Sequence, residues 1–273
     1  MKETHQAFLF LCYMAEFSIY QVFSNEDISF KGNTAAVVFL KNELEENEMQ
    51  SIAADFNQPA TSFLWKKDNQ FHIRWFAPDA EIGLCGHGAF AALAFLKDQN
   101  IGLDTVTFLY TEGQLTGHIS ENLISMELNA MPVIKKIDVP KAIHEGLSIP
   151  ILEMFETANK HIIVTDNESS VRAMRPNFGK LRKSEIFGYA ITAPGDKVDF
   201  VSRTLVPHVQ QLEDHATGSS HAMLTPYWAS KLHKNQLEAL QLSARGGHFH
   251  CELKDQMVSL SGNYKQIASG QLS

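Results

Sequence analysis

Cysteine is scarce: Cys12, Cys85 and Cys251 are the only three in 273 residues. Their number and scatter exclude a disulfide framework or a zinc knuckle, and a reducing cytoplasm is the expected setting. Basic charge is in deficit, with 23 Lys and Arg against 31 Asp and Glu and a net charge of −8. A nucleic-acid partner, which asks for a basic face, is therefore not expected. Apolar runs are short, and none reaches the ~18–20 residues that a membrane-spanning helix needs. No membrane partner is expected. There is also no long linker and no low-complexity segment. What is present, 44% hydrophobic and 20% charged residues, is ordinary for a globular protein. At about 100–200 residues per domain, the length suits one large domain or two small ones.

Ala7 to Ala15 is a short apolar run behind a barely charged MKETHQ. A secretory signal asks for a basic segment before its apolar core, and that segment is nearly missing. The expectation is a tail over residues 1–13, a true start near Met14, and a strand from Phe17 to Phe23.

Stretches rich in β-branched and aromatic residues predict strands at 35–40, 61–65, 71–76, 105–110, 161–165, 198–203 and 257–261. Helices are predicted over 43–56, 86–98 and 218–232. The run from Ala89 to Leu96 is apolar on every face, which marks a buried helix. The helix from Gly218 is nearly as apolar, and Pro226 inside it removes one backbone hydrogen bond. Both helices start at a small-residue turn, Cys85-Gly86-His87-Gly88 and Thr217-Gly218-Ser219-Ser220. Acids precede both, Asp79 and Glu81 in one case, Glu213 and Asp214 in the other. Gly218 follows Gly86 by 132 residues, close to half the chain. A weaker echo pairs Lys31-Gly32-Asn33-Thr34 with Thr157-Ala158-Asn159-Lys160. The pattern predicts an internal duplication. The fold expected is α+β (mixed α/β), with two pseudo-symmetric lobes over 14–132 and 133–273, each a curved mixed sheet or barrel around one buried helix.

Phe30 to Val38, Arg74 to Glu81, Leu84 to Gly88 and Glu213 to Ser219, in that order, resemble the phenazine-biosynthesis PhzF-like family. The likeness runs from about Glu16 to the C-terminus. It implies a diaminopimelate-epimerase-like fold with the active site in the cleft between the lobes, no cofactor, and often a homodimer. It also implies an isomerase that moves a proton on a small carboxylate-bearing metabolite, of the dihydro-hydroxyanthranilate or amino-acid kind. The residues agree with that ligand class. Two facing helix N-termini offer free N–H groups and positive dipole ends, and Gly86 and Gly218 let a carboxylate come close. By resemblance His87, Asp214 and Ser219 belong to the site. Histidine can shuttle a proton, Asp214 can orient it or cap a helix, and Ser219 can hold a substrate oxygen. Gly86, Gly88, Thr217, Gly218, Ser219 and Asn33 are the candidate substrate contacts.

One position departs from the family. Its isomerases carry a basic glutamate in a segment Asn-x-x-Glu-Thr-x-Phe, and the segment here is Asn57-Gln58-Pro59-Ala60-Thr61-Ser62-Phe63. A methyl group at Ala60 accepts no proton, and Thr61 points to the opposite face of its strand. Three readings stand. Cys85, at a helix N-terminus that lowers a thiol's pKa, replaces the base; Thr217 at the partner position leaves no second thiol, so one-base epimerisation or elimination remains. An acid from elsewhere, Asp79 or Glu81, fills the gap. Or the scaffold binds a carboxylate without catalysis. His248 and His250 share a strand face, but with no third ligand in sequence reach no metal is expected.

Overall fold

A computed structural model describes residues 15–272. The expected tail at 1–13, the start at Met14 and Cys12 lie outside the described residues. All strands join one 18-stranded mixed sheet. Ala15–Ser24 runs antiparallel to Asn33–Leu40, which pairs in parallel with Thr61–Lys67 after the crossover helix Glu46–Phe56. Thr61–Lys67 forms a hairpin with Gln70–Phe76, turning at Asp68 and Asn69, both at positive φ as a two-residue hairpin turn requires. Gln70–Phe76 pairs with the short Glu81–Ile82 and, across the helix Gly86–Asp98, in parallel with Thr105–Tyr110. Two hairpins then add Gly113–Ile119 and Ile124–Asn129.

The same order of pairings repeats in the second half. Glu153–Glu156 lies antiparallel to His161–Val164, which is parallel to Tyr189–Pro194. Tyr189–Pro194 is antiparallel to Phe200–Leu205, which takes Glu213–Asp214 on one side. Across the helix Gly218–Leu232, Phe200–Leu205 is parallel to Gln236–Gln241, followed by Gly247–Lys254 and Met257–Ser261. The halves are stitched twice. Ile124–Asn129 pairs antiparallel with Met257–Ser261, and the last strand, Asn263–Leu272, crosses back to cover Ala15–Ser24.

The helices Gly86–Asp98 and Gly218–Leu232 begin and end where the sequence predicts. His87 through Leu96 are all buried, and each of Phe90, Leu93 and Phe95 contributes about 1.5–3 kcal/mol by leaving water. One hydrophobic cluster contains both helices, so the two halves share a core. Glu46–Phe56 starts three residues later than expected, because Glu45 and Glu48 close a capping box there. Pro226 leaves the carbonyl of Ala222 without its intrahelical partner, and Met131 N–H, on the segment joining the halves, fills it at 3.0 Å.

Candidate active site

Two helix starts meet at the centre of the molecule. A Cβ placed on Gly86 would lie 3.3 Å from the Cα of Gly218. The residues before them share one backbone conformation, Cys85 at φ −123, ψ 99 and Thr217 at φ −123, ψ 104, and neither caps its helix with its side chain. The first turns of both helices thus lie at the seam with no capping side chain, and the backbone of His87 and Gly88 lies beside the Cys85 thiol.

The acids before each helix have different tasks. Arg203 grips Glu213 through both guanidinium arms at 2.7 and 2.8 Å, and Arg74 grips Glu81 likewise at 2.7 Å on both. Each bidentate clamp ties a short strand to the longer strand it pairs with, just before the central helix. Glu81 is therefore engaged by Arg74.

Asp214 is half-buried at the seam. Its Oδ1 accepts from Asn33 Nδ2 at 2.7 Å, and its backbone carbonyl accepts from Gln241 at 2.6 Å. It does not cap the second helix, whose N-cap is Thr217. Fully buried Asn33 thus holds the carboxylate. Asn33 follows Gly32, whose φ of +62° and contact with Val22 O admit no side chain. Gln241, which the sequence did not single out, also bonds Thr217 N at 2.9 Å and Thr217 Oγ1 at 3.0 Å, fixing the turn.

His87 and Cys85 stand on the other side. His87 is 8% exposed, with Nδ1 3.5 Å from Cys85 Sγ. Burial lowers the imidazole's pKa, and the Asp214 charge opposes that shift. His87 is thus neutral at neutral pH and able to accept a proton. Cys85 contradicts the expectation of an activated thiol. Burial pushes it up to about 12, and the Asp214 charge adds to the rise. Desolvation of the thiolate outweighs the helix terminus here.

Ala60 is fully buried. It stands just before the strand Thr61–Lys67 and packs in the core around the first central helix; two residues on, the Ser62 hydroxyl donates to Gly88 O at 3.0 Å. Position 60 therefore overlooks the first central helix, while Thr61 turns away, its hydroxyl buried without a partner.

Two cations were not foreseen. Lys160 is 5% exposed, and its Nζ donates to Ser219 Oγ at 2.9 Å and to Asn159 Oδ1 at 2.6 Å. Burial lowers the amine to about 8, with Asp214 partly opposing. Ser219 is thus engaged by Lys160. Arg245 donates through Nε to Gly32 O at 2.8 Å, its Nη2 is buried without a partner, and its charge acts on His215 beside Asp214.

The histidine pair elsewhere also departs from expectation. Glu238 on the neighbouring strand supplies the third group near His248 and His250, with ligand atoms all within 4.8 Å. His248 is buried. The Asn25 amide donates to its Nδ1 at 2.9 Å, because Asn25 Oδ1 already accepts Asp27 N–H. The ring proton then sits on Nε2 and goes to Glu238 at 2.7 Å, where a metal would need the lone pair.

Among the described residues, no helix is long and apolar enough to cross a membrane. A family model for phenazine biosynthesis-like proteins matches residues 20–270. An uncharacterized isomerase of Pseudomonas aeruginosa is 33% identical over 258 residues, covering 94% of this chain and 99% of that protein. The human phenazine biosynthesis-like domain-containing protein is 31% identical over 284 residues, covering 90% and 95%. Among solved structures, a PhzF-family protein from Enterococcus faecalis superposes with a TM-score of 0.88 at 33% identity, covering 94% and 98%. A hydroxyproline epimerase from Agrobacterium vitis shares the fold alone, with a TM-score of 0.63 at 8% identity and 96% and 93% coverage. The architecture is thus the diaminopimelate-epimerase-like one. The duplicated sheet, the paired helix starts and the whole-length likeness place this chain in the phenazine biosynthesis-like (PhzF) family.

Proposed function

We propose that this protein is an isomerase that moves a proton on a small carboxylate-bearing metabolite, without a cofactor. The observation that carries the reading is the meeting of two uncapped helix N-termini at Gly86 and Gly218, beside neutral His87 and the fixed carboxylate of Asp214. The substrate carboxylate takes the N–H groups and dipole ends of both helices. Delocalising charge into that carboxylate lowers the cost of breaking the adjacent C–H bond. His87 exchanges a proton with the substrate, and Asp214 steadies the cationic form of the ring. Cys85 acts in packing, since a thiol held near 12 supplies little thiolate. The proposed setting is the cytoplasm and the proposed assembly a homodimer, as the family likeness suggests.

Deuterium uptake from D₂O tests the reading, followed by mass spectrometry on dihydro-hydroxyanthranilate and a panel of small amino and hydroxy acids. Uptake that falls at least tenfold in His87→Ala supports it. A second reading rests on buried, proton-inert Ala60: a scaffold that binds a carboxylate and leaves it unchanged. Saturable binding in calorimetry with no deuterium uptake by any compound selects it.

A further inference from the structure

We propose that Lys160 is the proton-transferring base of this site, set on the second half of the duplicated fold and opposite the face that position 60 overlooks. The inference rests on the isomerase reading above and names the group that does the work a methyl side chain at Ala60 cannot.

The duplication fixes the placement. In the first half Ala36 N–H bonds Ala60 O at 2.9 Å; in the second, His161 N–H bonds Gly188 O at 2.9 Å. Ala60 therefore corresponds to Gly188, and Ala35, one residue before Ala36, corresponds to Lys160, one position on from the sequence echo, which set Thr34 against Lys160. Ala35 lies in the core around the first central helix. Lys160 turns the same way, toward the second, with its backbone N–H 3.4 Å from Met223 Sδ. The first half thus sets two methyl groups, Ala35 and Ala60, at this point of the sheet, and the second half sets a lysine and a glycine. Gly188 makes the room: a Cβ there would stand 3.3 Å from Lys160 Cγ and 3.0 Å from Leu205 O. The alkyl stem runs over the bare glycine and delivers the amine to Ser219, which occupies in the second helix the position of His87 in the first.

The hydrogen bonds leave the amine equipped to act. A neutral amine has two N–H groups and one lone pair. Asn159 and Ser219 accept two N–H bonds, and the third position is free. Among the described residues Lys160 forms no ion pair, so no carboxylate holds it as an ammonium. Its surroundings are Asn159, Ser219, Met223 and the Phe187 ring 6.0 Å away, all uncharged, and Asp214 is the charged group that acts on it. Burial lowers the amine to about 8, so a working fraction is neutral near neutral pH.

The step balances within the site. Neutral Nζ takes the proton from the substrate carbon, an N–H bond forms as the C–H bond breaks, and the electron pair moves into the carboxylate-conjugated system. The ammonium returns the proton to another carbon of that system, or His87, first protonated from solvent, supplies one from the opposite half and Lys160 releases its own to solvent. No oxidant, reductant or co-reactant enters.

The test uses the full chain in D₂O with dihydro-hydroxyanthranilate and the amino and hydroxy acid panel, across about pH 6 to 10. Expected is a deuterium uptake rate that rises with pH through a midpoint near 8 and levels off above it. Lys160→Ala lowers it by about 10²–10⁴-fold, and added methylamine restores part of the loss. Lys160→Arg stays inactive, because a guanidinium keeps its charge. A Lys160→Ala protein with the wild-type rate and pH profile overturns the assignment while leaving the isomerase reading intact. Wild-type protein that exchanges nothing overturns both. A readout without turnover is acetylation of the Lys160 peptide by acetic anhydride: a midpoint near 8 supports the assignment, and the ordinary lysine midpoint of 10.5 overturns it.

Discussion

Gly86 and Gly218 meet across the centre of the fold, each Cα within 3.3–3.5 Å of the place where the other residue's side chain would begin. A Cβ on Gly86 would come within 3.3 Å of Gly218 Cα and 3.2 Å of Met126 Cε, and one on Gly218 within 3.0 Å of the same methyl. The flexible end of Met126 can withdraw, whereas the opposing backbone yields only if the helix starts part. Two glycines from the two halves thus set how closely two rows of N–H groups converge.

Gly86→Ala and Gly218→Ala should each change stability little, because a helix propensity gain of up to about 1 kcal/mol offsets a small overpacking cost. The double variant puts two methyls into one seam. Its loss in urea unfolding should exceed the sum of the singles by about 0.5–3 kcal/mol. Additive losses would show that the helix starts do not bear on each other.

Cys85 should be inert in the folded protein. With the thiol near 12 instead of 9, its thiolate fraction at pH 8 falls by roughly a thousandfold, and alkylation by iodoacetamide should slow at least that much relative to the unfolded chain. A raised thiol pKa stabilises the fold fully below 9, and that contribution is lost as pH rises from 9 through 12. Cys85→Ala should keep deuterium uptake within a few-fold of wild type. Rapid labelling, or loss of uptake in Cys85→Ala, would return the thiol to the chemistry.

The parts of this fold legible in the sequence are those set by local pattern. The two apolar helices, their small-residue starts and the strands dense in β-branched residues lie where expected. Gly113–Ile119, with glycines at two of its positions, and Tyr189–Pro194, ending in proline, carry weaker strand signals and escaped notice. The Arg-Glu clamps did leave a trace, since Arg74 and Arg203 each stand four residues before a proline, Pro78 and Pro207. Lys160 could not be read this way. Its burial depends on Gly188 leaving room beneath its stem and on Ser219 receiving its amine, both distant in sequence. The third group beside His248 was missed for the same reason: Glu238 arrives through strand register.

Lys160→Met should make the protein more stable while removing its activity. The lysine's folded pKa is depressed, so at pH 7 the folded chain carries a buried ammonium that the unfolded chain carries in water. That penalty is fully present below about 8 and fades as pH rises toward 10.5. Removing it should add up to about 3 kcal/mol at pH 7, less whatever Ser219 and Asn159 lose as acceptors. Thermal unfolding at pH 7 and pH 10.5 checks this, and the gain over wild type should shrink at the higher pH. A variant less stable at both values would mean that the amine's two hydrogen bonds outweigh its desolvation.

Asp214→Asn separates the position of this residue from its charge. The amide oxygen can still accept from Asn33 Nδ2, and the backbone carbonyl keeps Gln241, so the turn stays in place. What disappears is the negative charge that opposes burial at both His87 and Lys160. Without it both groups should release protons more readily, and the limb of the deuterium-uptake profile should move from about 8 to lower pH. The weaker base formed in this way removes the substrate proton less effectively, so the plateau rate should fall as well. A profile that keeps its limb while losing amplitude would mean that Asp214 acts by contact with the substrate and not through the charge it lends to the two halves of the site.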